Sequence, residues 1–274
     1  MSVSDAIGKF GSRIAAGQAS IDDICEFLSE LARGAVEAVN EKFSPRQLAK
    51  RERALEQLPT AKRQLSSYRT RIGTMLEYAL STYMDGAIKD KFGDVLRWTF
   101  AVAHEYPDFF LRDAVLEQRV RIEMKAVDAD SDEQAARFEV LEGLIKGEKD
   151  IVLLIGWEWQ SGELPKCKFE YPQIFSFVVV PAAELAGERD RSVVLRGGRV
   201  EVDQILVPSK KRPGELTLDP HNAGKILRLV HKKRRADPFQ LSAHIQRYLQ
   251  FVTDVEGRAK RTRGRTGRKE GESL

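Results

Sequence analysis

The chain has 274 residues, of which 42% are hydrophobic and 31% are charged. This composition suits a globular fold with a substantial core and excludes chains that are disordered throughout, collagen-like or coiled-coil. The net charge of +4 is unevenly placed, because residues 257–274 alone carry +5, and the charge of the remainder does not by itself indicate a nucleic-acid partner.

The first part of the chain has the pattern of helices. Over residues 21–39, apolar side chains recur at three- and four-residue spacing, which is typical of an amphipathic helix. A weaker helical pattern follows over residues 45–58. A further helix begins near Ser66, carries Glu77 at the edge of its apolar face, and is expected to end at Gly86, because glycine commonly terminates helices.

The pattern then changes to one of strands, over residues 96–103, 109–115 and 119–127. The last of these has the clearest alternation. Apolar side chains occupy one face, while Glu123 and Lys125 lie with two arginines on the other. One face therefore belongs to the core, and the other carries four charges.

A helix is predicted over residues 131–147, because Ser131 and Gln134 fit a capping box and a stripe of apolar residues follows. The next segment, 150–159, is apolar on both faces at its start, which indicates a central strand. Together these elements form a strand–helix–strand crossover. The remaining pattern predicts strands over 174–180 and 198–207 and helices over 222–231 and 241–252.

Several classes of protein are excluded by what the sequence lacks. It has no G-x-x-x-x-G-K-[ST] loop and no G-x-S-x-G turn, and none of its four histidines belongs to a tight metal-binding pair. Its two cysteines form no CxxC motif for zinc or redox chemistry. The longest apolar stretches are far shorter than the roughly 20 residues of a membrane helix, and the N-terminus has no signal-peptide pattern. We therefore expect a cytoplasmic protein with no membrane partner.

One group of residues could carry chemistry. Pro107 and Asp108 precede the second predicted strand, and Glu123 and Lys125 lie on one face of the third. If a turn joins these strands, Asp108 approaches the middle of its neighbour, so that two carboxylates and an ammonium meet. Carboxylates hold Mg²⁺ and leave positions for water and phosphate. The metal activates a bound water, and a lysine can orient that water and offset negative charge.

These residues resemble the catalytic motif of the PD-(D/E)XK nuclease superfamily, and within it of the type II restriction endonucleases. Pro107, Asp108, Glu123 and Lys125 match the motif. The segment Ser67–Glu77, with the pattern S-x-R-x-R-x-G-x-x-L-E, is also similar to an early helix of these enzymes that often carries a glutamate near the metal.

The resemblance covers roughly residues 66–160 and implies a restriction-endonuclease-like α/β fold, with a mixed central β-sheet flanked by helices. A helical N-terminal region, residues 1–60, would precede the nuclease domain, residues 61–256, and a basic tail, residues 257–274, would follow. The tail has almost no apolar residues and is expected to be disordered. It is either a solvated end or an arm that contacts DNA phosphates.

The resemblance also implies Mg²⁺-dependent cleavage of double-stranded DNA, usually by a homodimer. Asp108 and Glu123 would bind the metal, with the Met124 carbonyl as a further ligand. Lys125 would position the attacking water, and Glu77 would complete the catalytic set. Two alternatives stay open: a non-catalytic DNA-binding or interaction protein of the same fold, and a DNA repair or junction nuclease.

Basic residues supply candidate DNA contacts, although each is also typical of a solvated turn or of a helix end. Two arginines lie just before Glu77, an Arg-Asp-Arg group could reach guanine edges bidentately, and a Lys-Lys-Arg group lies in a predicted loop. The candidates are Arg69, Arg71, Arg189, Arg191, Lys210, Lys211 and Arg212.

Overall fold

The computed structural model describes residues 3–44, 47, 66–101, 106–131, 136–164 and 167–269. Apart from residue 47, the predicted helix over residues 45–58 lies outside these ranges. The proposed capping residue Gln134 lies outside them as well.

Three helices open the described chain: α1 (Val3–Ala15), α2 (Ile21–Phe43) and α3 (Ser66–Phe92). The predicted helical character of the N-terminal region is therefore confirmed for its described part. The predicted end of α3 at Gly86 is wrong. Met84 and Ile88, on either side of this glycine, are both buried in the core, and their burial outweighs the helix cost of one glycine, about 1 kcal/mol.

Five strands form one mixed sheet in which they lie side by side in chain order. Strands β3 and β4 are parallel, and the other neighbouring pairs are antiparallel. The prediction of a mixed sheet flanked by helices is confirmed at this level. The strands are β1 (Leu96–Phe100), β2 (Phe109–Asp113), β3 (Gln118–Asp128), β4 (Asp150–Leu164) and β5 (Cys167–Pro181).

The predicted helix over residues 131–147 is wrong in its described part. Residues 136–138 are extended and pair with a distant segment: the Phe138 N–H donates to the Gly224 carbonyl at 2.7 Å, and the Ile226 N–H donates to the Ala136 carbonyl at 3.2 Å. Only two short 3-10 turns follow before β4. The apolar stripe is not one buried face, because Phe138 is buried whereas Leu144 is 61% exposed.

Each face of the sheet carries its own apolar cluster. Alternate residues of β4 enter the two clusters, Ile151 and Leu153 on one side and Val152 and Leu154 on the other, which confirms the prediction that this strand is central. Helices α1, α2 and α3 cover the first side. The described N-terminal helices therefore share a core with the sheet.

The chain after β5 covers the second face and adds a small antiparallel sheet. Helix α4 (Ala182–Leu195) packs on this face. The predicted helix over residues 222–231 is wrong. Its residues 224–226 pair in an extended conformation with residues 136–138, so only a 3-10 turn forms, at Ile226–Arg228. The other elements are β6 (Arg199–Val200), β7 (Ile205–Pro208), β8 (Leu216–Leu218), α5 (Lys232–Arg235) and α6 (Ala243–Lys269).

Helix α6 continues into the segment that was expected to be disordered. It is helical from residue 257 to Lys269, so the prediction of a disordered tail is wrong over that range. Arg258 attaches this part of the helix to the sheet through an ion pair with Glu158 at 2.8 Å and through its position over the Phe175 ring. The arginines and lysines that follow are good helix formers.

None of the helices in the described ranges has both the length and the apolarity needed to cross a membrane. The longest, α3 and α6, have 27 residues each, but both carry charged residues along their length.

A buried ion pair joins the starts of β3 and β4. Asp150 is fully buried and lies 3.2 Å from an Arg121 guanidinium nitrogen. Its carboxylate also accepts hydrogen bonds from the Tyr106 hydroxyl at 2.8 Å and from the Lys146 N–H at 3.0 Å. Burial raises the pKa of Tyr106 above its ordinary value, and the Asp150 charge adds to this effect, so the hydroxyl keeps its proton.

We predict that Asp150→Asn lowers the free energy of unfolding by about 3–5 kcal/mol, because it leaves the buried Arg121 charge without a counter-ion. Glu215→Gln is the control, since it breaks the exposed Arg212–Glu215 pair and is expected to cost less than about 1 kcal/mol. Urea unfolding of the two variants gives the comparison. Equal losses would contradict the importance of the buried pair.

Candidate active site

The pairing of β2 with β3 brings the motif residues together. Phe109 lies opposite Ile122 in this antiparallel pair, so Asp108, just before β2, comes opposite Glu123. The Asp108 carboxylate accepts a hydrogen bond from the Met124 N–H at 2.9 Å. This bond closes the end of the strand pair and fixes the carboxylate against the middle of β3.

Lys125 joins the two carboxylates. Its Nζ lies 2.6 Å from Glu123 Oε1 and 3.4 Å from Asp108 Oδ2. Burial alone would lower the pKa of Lys125, but the Glu123 and Asp108 carboxylates outweigh burial and raise this pKa above its ordinary value. The side chain is therefore a charged ammonium held at a defined point.

Glu123 is the most buried member of this cluster. It is 7% exposed, and its Oε2 is buried without a hydrogen-bond partner among the described residues. Burial raises the pKa of Glu123; Lys125 opposes the rise and Asp108 reinforces it. Two carboxylates thus share the positive charge of one lysine, and a further cation beside them would offset the remaining negative charge.

Glu77 reaches the same region from α3. Its Oε1 accepts a hydrogen bond from the Ala126 N–H at 2.8 Å. Burial raises the pKa of Glu77 to about 7; Lys125 opposes this shift, and Asp108 and Glu123 contribute to it. Glu77 therefore lies within the electrostatic reach of the cluster, and near neutral pH it can both hold and release a proton.

The cluster fits a hard divalent cation. Within the described residues, no three His, Cys, Asp or Glu side chains approach closely enough to hold a metal ion by themselves. Mg²⁺ does not require three, because one or two carboxylates suffice when water and phosphate complete its octahedron. Asp108 and Glu123 supply two carboxylates, and the unpartnered Glu123 Oε2 is a free oxygen donor. Oxygen donors suit Mg²⁺ or Mn²⁺ better than softer metals.

The two arginines predicted on α3 lie in different surroundings. Arg69 donates from Nη1 to Ser131 Oγ at 2.7 Å, so it is held against the end of β3. Arg71 is exposed. Arg69 and Glu77 line a common cavity with Lys125, which places this arginine beside the proposed catalytic cluster.

The prediction that Arg189 contacts DNA is wrong. Arg189 is fully buried, and its Nη1 donates to the Val140 carbonyl at 2.6 Å and to the Phe138 carbonyl at 3.3 Å. It also pairs with Asp190 at 2.7 Å. These carbonyls belong to a distant segment, so the Arg-Asp-Arg pattern alone could not indicate burial. Arg191 is 64% exposed and pairs with Glu188.

The other predicted DNA contacts lie on the small sheet. Lys210, Lys211 and Arg212 are exposed in the turn between β7 and β8. Arg212 forms an ion pair with Glu215 at 2.8 Å. These residues belong to a different sheet from Asp108 and Glu123.

Two residues beside the cluster were not predicted. Trp157 on β4 and Asp128 at the end of β3 line the same cavity as Glu77 and Lys125. Trp157 lies in an apolar strand and Asp128 follows the alternating one, so no motif in the sequence distinguishes them. Their place follows from the parallel pairing of β3 with β4, in which Asp128 lies opposite Trp157.

Comparison of the chain with protein-family models, curated proteins and solved structures finds no match.

The raised pKa of Glu77 predicts a pH effect on stability. A carboxyl with a pKa of 4.5 in the unfolded chain and about 7 in the folded chain stabilises the unfolded state as pH rises between these values, because only the unfolded carboxyl ionises there. Glu77→Gln cannot ionise, and its amide oxygen can still accept from the Ala126 N–H. We expect the free energy of unfolding of the variant, relative to that of the wild type, to rise by about 1–3 kcal/mol as pH increases across this range.

The measurement is urea unfolding in EDTA at both ends of the range. Glu148→Gln, which changes an exposed glutamate outside the site, is the control and should track the wild type. Parallel pH profiles for Glu77→Gln and the wild type would show that Glu77 ionises normally in the folded protein.

Proposed function

We propose that this chain is a Mg²⁺-dependent endonuclease that hydrolyses phosphodiester bonds of double-stranded DNA, with a site of the PD-(D/E)XK type. One observation carries the proposal: Lys125 is held between Asp108 and Glu123, which come from two paired strands. The mixed sheet and the position of Glu77 on the preceding helix support it. Site-specific cleavage of restriction type, with the chain acting as a homodimer, is the finer form of the proposal.

Each side chain has a role that its surroundings suit. Asp108 and Glu123 would hold the metal ion, which when bound would supply Lewis-acid polarisation of a phosphoryl oxygen and activation of water. The Lys125 ammonium would orient the attacking water and offset the negative charge that develops on the phosphate. Glu77, with a pKa of about 7, can accept a proton near neutral pH.

The charge of the cluster favours an enzyme over a non-catalytic DNA-binding protein. Asp108, Glu123 and Lys125 together carry −1, and a protein that only bound DNA would gain nothing from paired carboxylates near phosphates. A repair or junction nuclease would use the same cluster, so the distinction from a restriction enzyme depends on where the DNA is cut.

Plasmid cleavage tests the metal requirement. We predict discrete fragments with Mg²⁺ or Mn²⁺ and intact plasmid with EDTA, because the two carboxylates need a divalent ion to act on phosphate. Sequencing of the fragment ends identifies the cut position. Equal cleavage with and without EDTA would contradict the metal mechanism, and fragments of every length would indicate a non-specific nuclease.

Substitutions separate cleavage from binding. Asp108→Asn should abolish cleavage while DNA binding persists or tightens, because a negative charge beside phosphate is removed. Lys125→Met should slow cleavage by about 100-fold or more, since it removes a charge that stabilises the transition state. Asp94→Asn and Lys89→Met change exposed residues away from the cluster and are the matched controls. A folded Asp108→Asn or Lys125→Met variant that cuts as fast as its control would refute the proposed roles.

A further inference from the structure

A cavity of about 180 Å³ lies between α3 and the carboxyl half of β3. Its walls include Arg69, Gly73 and Glu77 from α3, Lys125 from β3, Ser131, and Trp157 from β4. Because Glu77 and Lys125 belong to both, the cavity is continuous with the proposed active site.

Two hydrogen-bond donors in these walls have no acceptor among the described residues. Trp157 is fully buried, and its indole Nε1 has no hydrogen-bond partner. The Nε of Arg69 is also buried without a partner, while the Nη1 of the same guanidinium is held by Ser131. Buried donors are normally paired in native proteins, and these two line the same cavity, so together they indicate a ligand that supplies acceptors.

Gly73 lets α3 approach β3 closely beside these donors. Gly73 faces Ala126 so closely that an added Cβ would lie 3.3 Å from the Ala126 Cβ. A larger side chain at this position would therefore push α3 away from β3 or extend into the cavity.

We propose that this cavity binds a phosphate group of the nucleic-acid strand beside the bond that is cut, with Arg69 and Trp157 as its donors. The inference rests on the proposed nuclease function and adds a substrate contact to it. A phosphate group offers only acceptor oxygens and a negative charge. It therefore matches the unpartnered N–H groups of Trp157 and Arg69 and the positive charge of the Arg69 guanidinium. A nucleobase edge presents donors as well as acceptors, and so fits these donor groups less well.

Two carboxyl groups also line the cavity. Asp128 Oδ1 accepts a hydrogen bond from the Asp130 N–H at 2.9 Å, so this oxygen is already engaged. Burial raises the pKa of Glu77 to about 7, which reduces its negative charge near neutral pH. The inference therefore depends on the two unpartnered donors and on the Arg69 charge, and not on the net charge of the walls.

Methylphosphonate scanning tests the inference. Each phosphate of a short duplex is replaced in turn by an uncharged methylphosphonate, and binding is measured by fluorescence anisotropy in EDTA, which prevents cleavage. For the wild type we expect one position near the cut where the replacement weakens binding by about 10-fold. Duplexes with a 5′-phosphate or a 5′-hydroxyl form the second arm, because the phosphate could be an internal diester or a strand end.

Two variants remove the donors individually. Trp157→Phe deletes the indole N–H and keeps an aromatic ring, and Arg69→Gln removes the guanidinium. Each variant should bind unmodified DNA about 10-fold more weakly than the wild type does. In each variant, methylphosphonate at the sensitive position should have no further effect, because the protein substitution and the methylphosphonate remove the same contact. Trp159→Phe and Arg97→Gln are matched controls, since their Nε atoms are also buried without a partner but do not line the cavity.

The outcomes separate this inference from the proposed function. Loss of the position-specific effect in both variants, with the controls unchanged, supports the phosphate site; the two arms show whether the phosphate is internal or terminal. If the wild type binds and cuts DNA but folded Trp157→Phe and Arg69→Gln keep the full position-specific effect, the cavity is not a phosphate site although the nuclease function stands. A wild type that neither binds nor cuts DNA overturns both proposals.

Discussion

The register between β2 and β3 is the constraint on which the site depends. It places Asp108 opposite Glu123, and a shift of one residue would leave Asp108 on the opposite face of the sheet from Glu123 and Lys125. The turn between the strands, together with a bulge between Leu111 and Arg112, sets this register. Asp113 Oδ1 accepts from the Val115 and Glu117 N–H groups at 3.0 and 2.9 Å.

The same aspartate is also held from the next strand. Its Oδ2 accepts from Arg119 Nη2 at 2.6 Å, and the turn carries Leu116 at a φ of 66°. A leucine with positive φ is uncommon. The hydrogen bonds of Asp113 therefore hold the turn in a conformation that the leucine alone would not favour. The surface turn and the bulge beside it thus determine which carboxylates meet at the other end of the strand pair.

The charged side chains of the site lie at the edge of the apolar core between α3 and β3. Glu123 and Lys125 project from a strand whose alternate residues lie in the core, and α3 brings Glu77 to the same region while its neighbour Leu76 is fully buried. The apolar packing therefore holds the charged groups at fixed separations. Paired carboxylates at such a place are stable only with positive charge beside them, which Lys125 supplies in part and a divalent ion would complete.

The sequence was most informative where a local pattern and the tertiary structure agree. The alternation in β3 and the apolar start of β4 predicted both strands, and the spacing of Asp108, Glu123 and Lys125 predicted their meeting. Non-local contacts decided the rest. The segment around Phe138 pairs with residues 224–226, so its helical spacing was overridden.

The burial of an arginine likewise could not be predicted from the local sequence. Arg189 is buried because distant backbone carbonyls accept its hydrogen bonds, and nothing in its own neighbourhood in the sequence indicates this. The Arg258 contacts with Glu158 and Phe175 hold α6 against the sheet where it passes residue 257, and composition could not reveal them. Likewise, the cavity beside Lys125 depends on the approach of α3 to β3 and not on any motif.

The proposed function requires that Asp108 and Glu123 form a divalent-cation site. A crystal of the protein soaked in Mn²⁺ and measured at the manganese absorption edge tests this most directly, because the anomalous difference map locates the metal independently of any activity. We expect an anomalous peak bound by the carboxylates of Asp108 and Glu123, and we expect this peak to be lost in Glu123→Gln. A saturated crystal with no peak at these carboxylates, or with manganese held only by other residues, would contradict it.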